Sequence, residues 1–222
     1  MLEISELQIF LTDQSNIIID LNISMSNMNR LVIEKYEYEN QIKRHGFFAH
    51  HIYQLKFIMI IQLSKIFSDK KGEKRSFHKL CNKLESSDYG SSLKKLFEDN
   101  KDKFTAEVKS REDLLTVITE VRSLLNTHNS LIKRVEALRD KVYAHIDKSA
   151  QVQNVTFDEL KLLVELANRI HNLVRFRLFF WQTMFDHTRD WDIDYILWYM
   201  SEFRKKDLEE LERKKKGTTE TN

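Results

Sequence analysis

The sequence predicts an all-α protein. The chain has 222 residues, no proline and only four glycines, whereas the turns that join strands are rich in both. Apolar residues recur every three or four positions along most of the chain, which is the period of an amphipathic helix. Long helices with short polar connections are typical of an antiparallel bundle. We therefore expect such a bundle, with extra short helices and a charged C-terminal helix.

The apolar pattern of the N-terminal half of the chain predicts two long and two short helices. The long patterns cover residues 5–28 and 29–67, and Gly46 interrupts the second. The short helices are predicted over residues 77–84 and 91–97, each just after a serine or a glycine.

The C-terminal half predicts three further helices. Ser110 is the predicted N-cap of a helix that reaches residue 146, either unbroken or with a bend near residues 126–127. Thr156 and Glu159 form a capping-box pattern at the start of the next helix. The buried face of that helix is predicted to comprise Leu160, Leu163, Ala167, Ile170, Val174, Leu178 and Trp181. We expect one helical domain over residues 1–205, and a charged helix end with a frayed tail over residues 206–222.

Composition narrows the class of protein. The formal net charge is +2, from 36 basic and 34 acidic residues, and by itself indicates neither nucleic acid nor membrane as a partner. One cysteine excludes an intrachain disulfide. The N-terminus carries acids where a signal peptide needs basic residues. The run "FIMIIQL" is far shorter than the roughly 20 residues of a membrane span, so we expect a soluble, cytoplasmic protein.

The sequence holds no metal-binding motif. Neither Glu-x-x-His nor His-Glu-x-x-His occurs, and there is no cysteine pair. The run "HGFFAHH" offers His45, His50 and His51, but His50 and His51 point about 100° apart on a helix. We therefore expect no metal and no cofactor.

An arginine interrupts an apolar seam in the stretch "LRDKVYAHID". From Leu114 to Ile146, seam residues recur at alternating steps of four and three, and Arg139 occupies one of these positions. His145 lies at the seam's edge, about 120° from Arg139 on an ideal helix. A half-buried guanidinium needs an acid, a phosphate or a water-filled cleft. Periodicity alone favours an ion pair with an acid on a facing helix, and leaves the other two open.

The stretch "RDKVYAH" resembles the motif of the HEPN superfamily, in which a histidine follows an arginine and a polar residue. The wider "LRDKVYAHID", with a loop and a "TFDEL" helix start after it, is similar to the AbiU-like branch, linked to abortive phage infection. The resemblance covers roughly residues 111–185. It implies a bundle that dimerises and cleaves RNA without metal. His145 would then act as general acid or base, Arg139 would hold the scissile phosphate, and Asp140 would orient the site.

These observations together predict a HEPN-like endoribonuclease that acts in phage defence or as a toxin. The expected partners are RNA, a second copy of the chain and an antitoxin protein. The segment between residues 65 and 83, with seven Lys or Arg against two acids, is the best candidate for an electropositive patch. The alternative, a solvated connector between helices, is favoured by composition alone. The candidate RNA-binding residues of this segment are Lys70, Lys71, Lys74 and Arg75. The alternatives are a non-catalytic module that binds nucleotide, RNA or protein, and a plain bundle in which Arg139 forms an internal salt bridge.

Overall fold

The computed structural model describes residues 3–86, 91–103, 106–144, 153–187 and 191–219. None of these residues forms a strand, so the all-α prediction is confirmed. The α-helices are α1 (Ile4–Val32), α2 (Glu39–Lys43), α3 (Gly46–Phe67), α4 (Phe77–Ser86), α5 (Ser91–Lys101), α6 (Arg111–Thr127), α7 (Asn129–Leu138), α8 (Phe157–Phe179) and α9 (Asp194–Thr219). A π-helical segment, Arg139–Ala144, directly follows α7.

The described structure divides into two compact units. Unit 1 comprises Met1–Asn22 and Ile58–His187, and unit 2 comprises Ile23–Phe57 and Thr188–Asn222. Helices α1 and α3 therefore contribute residues to both units. The domain boundaries expected from the sequence, 1–205 and 206–222, stay a prediction.

The core of unit 1 is built on α6, which packs against α4 and α8. The inner face of α6 is buried as the seam predicts, at Leu114, Val117, Ile118, Val121 and Leu125. On α8, six of the seven predicted core residues are buried. Trp181 is the exception, since 63% of its surface is exposed. The prediction for Trp181 is wrong because α8 ends at Phe179, so the helical period does not reach it.

The helix starts predicted at Ser110 and Thr156 are confirmed, and of the two courses left open for the Ser110 helix the structure has the bend. The Ser110 hydroxyl accepts a hydrogen bond from the Asp113 N–H at 3.1 Å, which caps α6. At the start of α8, the Thr156 N–H donates to Glu159 Oε2 at 2.9 Å, and the Glu159 N–H donates to Thr156 Oγ1 at 3.2 Å. His128 separates α6 from α7, next to the bend expected at residues 126–127.

In the helical pattern predicted over residues 29–67, the interruption at Gly46 is confirmed as a break, since α3 begins there. The prediction for residues 29–45 is wrong, because residues 29–32 belong to α1 and the chain leaves the helix after Val32. The fully buried carboxylate of Glu39 accepts hydrogen bonds from the backbone N–H groups of Lys35 and Tyr36, both at 2.9 Å. These donors would otherwise serve a continuous helix. A side-chain contact with backbone only three and four residues away therefore overrides the apolar period of this segment.

An ion-pair network centred on Glu39 lies inside unit 2. Arg30 holds both Glu39 carboxylate oxygens, at 2.6 and 2.9 Å, and Lys43 pairs with the same group. Arg30 Nε also lies 2.5 Å from Asp194 Oδ1. Burial raises the pKa of Glu39, but the hydrogen bonds from Arg30 and Lys43 outweigh it and lower the pKa to about 2. Burial also raises the pKa of Asp194, but the hydrogen bonds from Lys35, Arg30 and Tyr36 outweigh it and lower the pKa to about 2.

We expect unit 2 to lose stability as the pH falls from 4.5 to about 2. The folded-state pKa of Glu39, about 2, lies below its ordinary value of 4.5. Its contribution to the free energy of unfolding is thus complete above pH 4.5 and disappears as the folded carboxylate becomes protonated. The measurement is tryptophan fluorescence during urea unfolding in a Trp181→Phe background, which reports on Trp191 and Trp198 of unit 2.

A Glu39→Gln variant in the same background is the control. It should be less stable at neutral pH, because Arg30 and Lys43 lose a buried counter-charge. It should also lose less stability on acidification, since Asp194 alone of the two carboxylates remains. Equal acid sensitivity of the two proteins would contradict the role given to Glu39.

Candidate functional site

The helix that carries the motif changes its winding at Arg139. Helix α7 ends at Leu138, and Arg139–Ala144 forms a π-helical turn. Such turns are rare and are frequent at functional sites. A π turn takes up more residues than an α turn, so the α-helical period assumed for residues 139–144 is wrong. The angle expected between Arg139 and His145 no longer follows, and His145 lies outside the described residues.

Arg139 is held by two acids of its own chain. Its Nη1 donates to Glu73 Oε1 at 2.7 Å, and its Nε donates to Asp140 Oδ1 at 2.8 Å. Its Nη2 lies 2.7 Å from the same Asp140 oxygen. The ion-pair explanation expects such partners, although Glu73 lies in the connector before α4 rather than on a facing helix.

The Arg139 side chain remains accessible, with 15% of its surface exposed. Burial lowers the pKa of Arg139, but the hydrogen bonds to Asp140 and Glu73 outweigh this effect and raise it. The guanidinium is therefore always charged. It makes two hydrogen bonds within the described part of the chain, so some of its five N–H donors remain available to a ligand.

Asp140 links Arg139 to the basic segment. Its second carboxylate oxygen pairs with Lys70 Nζ, so that Glu73, Arg139, Asp140 and Lys70 form a row of alternating charges. We call these four residues the Arg139 cluster. Burial raises the pKa of Asp140, but the bonds from Lys70 and Arg139 lower it further than burial raises it. The Arg139 cluster carries no net charge, and an anion must compete with its two acids.

The structure brings part of the predicted RNA-binding segment to this cluster. Lys70 belongs to it, and Lys71 and Lys74 flank Glu73 with exposed side chains that have no ion pair within the described residues. Arg75 points elsewhere, since its Nε pairs with Asp13 at 2.6 Å and its guanidinium lies over the Phe10 ring.

Glu73 is the member of the cluster that sequence reasoning missed. It is one of only two acids in a strongly basic segment, and that was the only available signal. Its contact with Arg139 joins residues 66 positions apart. No periodicity connects a connector to a helix at such a separation.

The described residues contain neither a candidate metal site nor a candidate membrane-spanning helix. No group of three or more His, Cys, Asp or Glu residues there could hold a metal ion. The helices in those parts of the chain are all too short or too polar to cross a membrane.

Comparison with protein families identifies the chain. The family model for AbiU2, a HEPN family, matches residues 14–193. The chain belongs to the AbiU2 HEPN family. The match reaches well beyond residues 111–185, over which the sequence resemblance was seen, and takes in α1 to α8. No curated protein and no solved structure matches the chain.

The family confirms the HEPN resemblance that was drawn from the stretch Arg139 to His145. In this AbiU2 chain, Arg139 starts the π turn, and the neighbouring Asp140 contacts it directly. The roles of Arg139, Asp140 and His145 in catalysis stay predictions.

Replacing Arg139 with Leu should cost little stability. The carboxylates left behind, Glu73 and Asp140, have 22% and 36% of their side-chain surface exposed, so water can solvate them. We expect the free energy of unfolding to fall by about 1 kcal/mol or less, against the roughly 3–5 kcal/mol typical of breaking a buried pair. Urea unfolding of the wild type and Arg139→Leu measures it, with Glu39→Gln as a buried-pair reference. A loss for Arg139→Leu as large as the reference's would assign Arg139 a structural role.

Proposed function

We propose that this AbiU2 chain is a metal-independent endoribonuclease that acts in phage defence or as a toxin. One observation carries the proposal. The motif arginine is fully charged and partly exposed at a π turn, and the Arg139 cluster joins it to a basic segment with two unpaired lysines. A guanidinium fork with positive charge nearby suits a phosphodiester backbone, because the fork matches two phosphate oxygens and the lysines, which have no ion pair among the described residues, attract the polyanion.

The residues of the motif suit cleavage through the ribose 2′-OH. RNA supplies this nucleophile, so the protein must only remove its proton, stabilise the charge on phosphorus and protonate the leaving oxygen. Arg139 presents planar donors to the phosphate oxygens. Asp140 holds the Nε edge of Arg139 and so restricts the rotation of its fork. His145 is the proposed general acid or base, because an ordinary histidine titrates near neutral pH.

The proposal includes a homodimer. Cleavage of this kind uses one base and one acid, and the motif has a single histidine. Two copies of the motif helix around a common axis would supply both groups. Lys70, Lys71 and Lys74 would then extend the phosphate-binding surface beside each Arg139. An antitoxin protein that covers this surface is a further proposed partner.

A second candidate function is a non-catalytic module that binds RNA, a nucleotide or a protein. The observation that favours it is the engagement of Arg139 by both Glu73 and Asp140. A phosphate gains less from a guanidinium that already has two counter-charges. Cleavage assays distinguish the two functions, because both bind a ligand but only one breaks the RNA backbone.

We expect the wild type to cleave total RNA in the presence of EDTA. Arg139→Ala and His145→Ala should each reduce cleavage by about two orders of magnitude or more, as is typical for loss of a phosphate-stabilising or proton-transfer group. Lys141→Ala is the matched control, because it removes a positive charge from an exposed position in the same π turn. The readout is the rate of fragment formation, with melting temperatures checked for each variant.

Three outcomes would contradict the proposal of a metal-independent ribonuclease that depends on Arg139. The wild type could leave RNA intact while still binding it, which would select the non-catalytic module. Cleavage could require a divalent cation. Lys141→Ala could also be as inactive as Arg139→Ala, which would indicate a general charge effect. A monomer by sedimentation in an active preparation would refute the composite dimeric site alone.

Loss of Lys71 and Lys74 should weaken RNA binding and its salt dependence. The logarithm of the RNA association constant falls linearly with the logarithm of the salt concentration, with a slope of about −0.7 for each phosphate contact of a single strand. A Lys71→Ala/Lys74→Ala variant, which loses two contacts, should therefore have a slope that is smaller in magnitude by about 1.4. The control is Lys94→Ala/Lys95→Ala, which removes two exposed lysines from α5 of the same unit. Titrations at several salt concentrations measure the slope. Equal effects of the two variants would exclude the segment as a specific RNA contact.

A further inference from the structure

Arg175, on α8, differs from the other half-buried arginines of the described residues. Each of the others has a carboxylate oxygen within 3.0 Å: Arg30, Arg75, Arg122, Arg134, Arg139, Arg177 and Arg204. Arg175 forms no ion pair with any described acid. A partly desolvated guanidinium without a counter-charge costs free energy. It therefore marks a place where a bound anion would be stabilising.

The contacts of Arg175 leave it ready for a ligand. Its guanidinium carbon lies 4.3 Å from the centre of the Trp181 ring, and its Nη1 donates to Thr183 Oγ1 at 3.1 Å. Phe180 ends α8 in the left-handed conformation, at φ 55°, and Trp181 follows directly. These contacts hold the guanidinium in place but do not neutralise it. The Thr183 hydroxyl still has a proton to donate.

Burial disfavours the charged forms of two basic groups here. It lowers the pKa of Arg175, and no acid of the described residues offsets this effect. One turn earlier, burial lowers the pKa of the fully buried His171 to about 3, and the Arg175 charge lowers it too. His171 is therefore neutral at physiological pH and does not add a second positive charge. Arg175 is the cation that an incoming anion would meet.

A cavity of about 310 Å³ opens beside this guanidinium, within unit 1. It is lined by Gln8, Leu11, Thr12, Arg175, Phe179 and Trp181. The volume is at the small end of the range for ligand sites. Its wall combines a guanidinium, an amide and a hydroxyl with an indole ring that is 63% exposed. The Thr12 hydroxyl donates to the Gln8 carbonyl at 2.8 Å, so Arg175 and the Gln8 amide are the groups of this wall that suit a phosphate. The open indole surface suits a planar base, because nucleic-acid bases stack favourably on aromatic rings.

We propose that this cavity binds a nucleotide, with its phosphate on Arg175 and its base stacked on Trp181. The ligand is either a free nucleotide or one unit of a single-stranded RNA, since both present the same two groups. The site is distinct from the Arg139 cluster and uses none of its residues. It stands whether or not the chain cleaves RNA.

Trp181 makes the site directly observable. In a Trp191→Phe/Trp198→Phe protein, Trp181 is the only tryptophan, so its fluorescence reports on the cavity. We expect saturable quenching by adenosine 5′-monophosphate and by a short 2′-O-methyl RNA, which lacks the 2′-OH needed for cleavage. Arg175→Ala should weaken binding by about tenfold or more. Arg169→Ala should change it by less than about twofold, because it removes the same charge from an exposed position on the same helix.

The arms of the titration separate the sources of the ligand. Tight binding of the monophosphate identifies a free-nucleotide site, whereas binding of the RNA about tenfold tighter or more identifies a strand-binding site. Inorganic phosphate should bind weakly and cause little quenching. Arg175→Lys, which keeps the charge but loses the planar fork, should bind with intermediate affinity and keeps the test valid if Arg175→Ala unfolds. Any of three results would overturn the proposal. The ligands could fail to quench Trp181 fluorescence, Arg169→Ala could weaken binding as much as Arg175→Ala does, or a polyglutamate peptide could bind more tightly than the nucleotide and the RNA.

Discussion

A guanidinium that leaves water must be matched by negative charge, and this constraint organises the surroundings of Arg139. Glu73 and Asp140 supply that charge, and Lys70 in turn balances Asp140. Because Glu73 and Lys70 belong to the connector between α3 and α4, the same contacts join this connector to the motif turn. These contacts help to position the basic segment, together with the ion pairs of Arg75 with Asp13 and of Asp69 with Lys133.

The same requirement is met differently elsewhere in the chain. In unit 2, Arg30 pairs with both Glu39 and Asp194. Although burial raises the pKa values of both carboxylates, hydrogen bonds from Arg30 and Lys43 to Glu39, and from Lys35 and Arg30 to Asp194, lower these pKa values to about 2. At Arg139 the match is made by partly exposed acids, which leaves the group accessible. At Arg175 no described acid provides it, and an aromatic ring and a hydroxyl hold the group instead. The three arginines therefore range from one held in a buried ion pair to one without a counter-charge among the described residues.

The family and the Arg139 cluster give different information about function. Membership of the AbiU2 HEPN family concerns the biological role of the chain, and the geometry of the cluster concerns how Arg139 could bind a phosphate. The family relates the chain to abortive infection. The Arg139 cluster has no net charge, because its two carboxylates balance its two cations. A phosphate that bound Arg139 would have to displace these carboxylates or share the guanidinium with them, which costs free energy. In the proposed RNA complex, the exposed Lys71 and Lys74 would offset this cost, because a polyanion has several phosphates that they could contact at once.

Local features of the chain could be predicted because their causes are local. The caps at Ser110 and at Thr156 with Glu159, the break at His128 and the buried face of α6 follow from hydrogen bonds within one turn or from a simple period. The motif at Arg139 was likewise recognisable as a short pattern, and the family match confirms what it resembles.

Only the tertiary structure decided the features that join distant residues. Arg30 links Glu39, beside the break in the predicted helix, to Asp194, which lies 164 positions from Arg30. Glu73 meets Arg139 across 66 positions, and the winding changes to a π turn at the motif. Arg175 has no acid partner among the described residues, which no sequence pattern records. Solvation of a charge depends on every neighbour in space, whereas helix period and capping depend on neighbours along the chain.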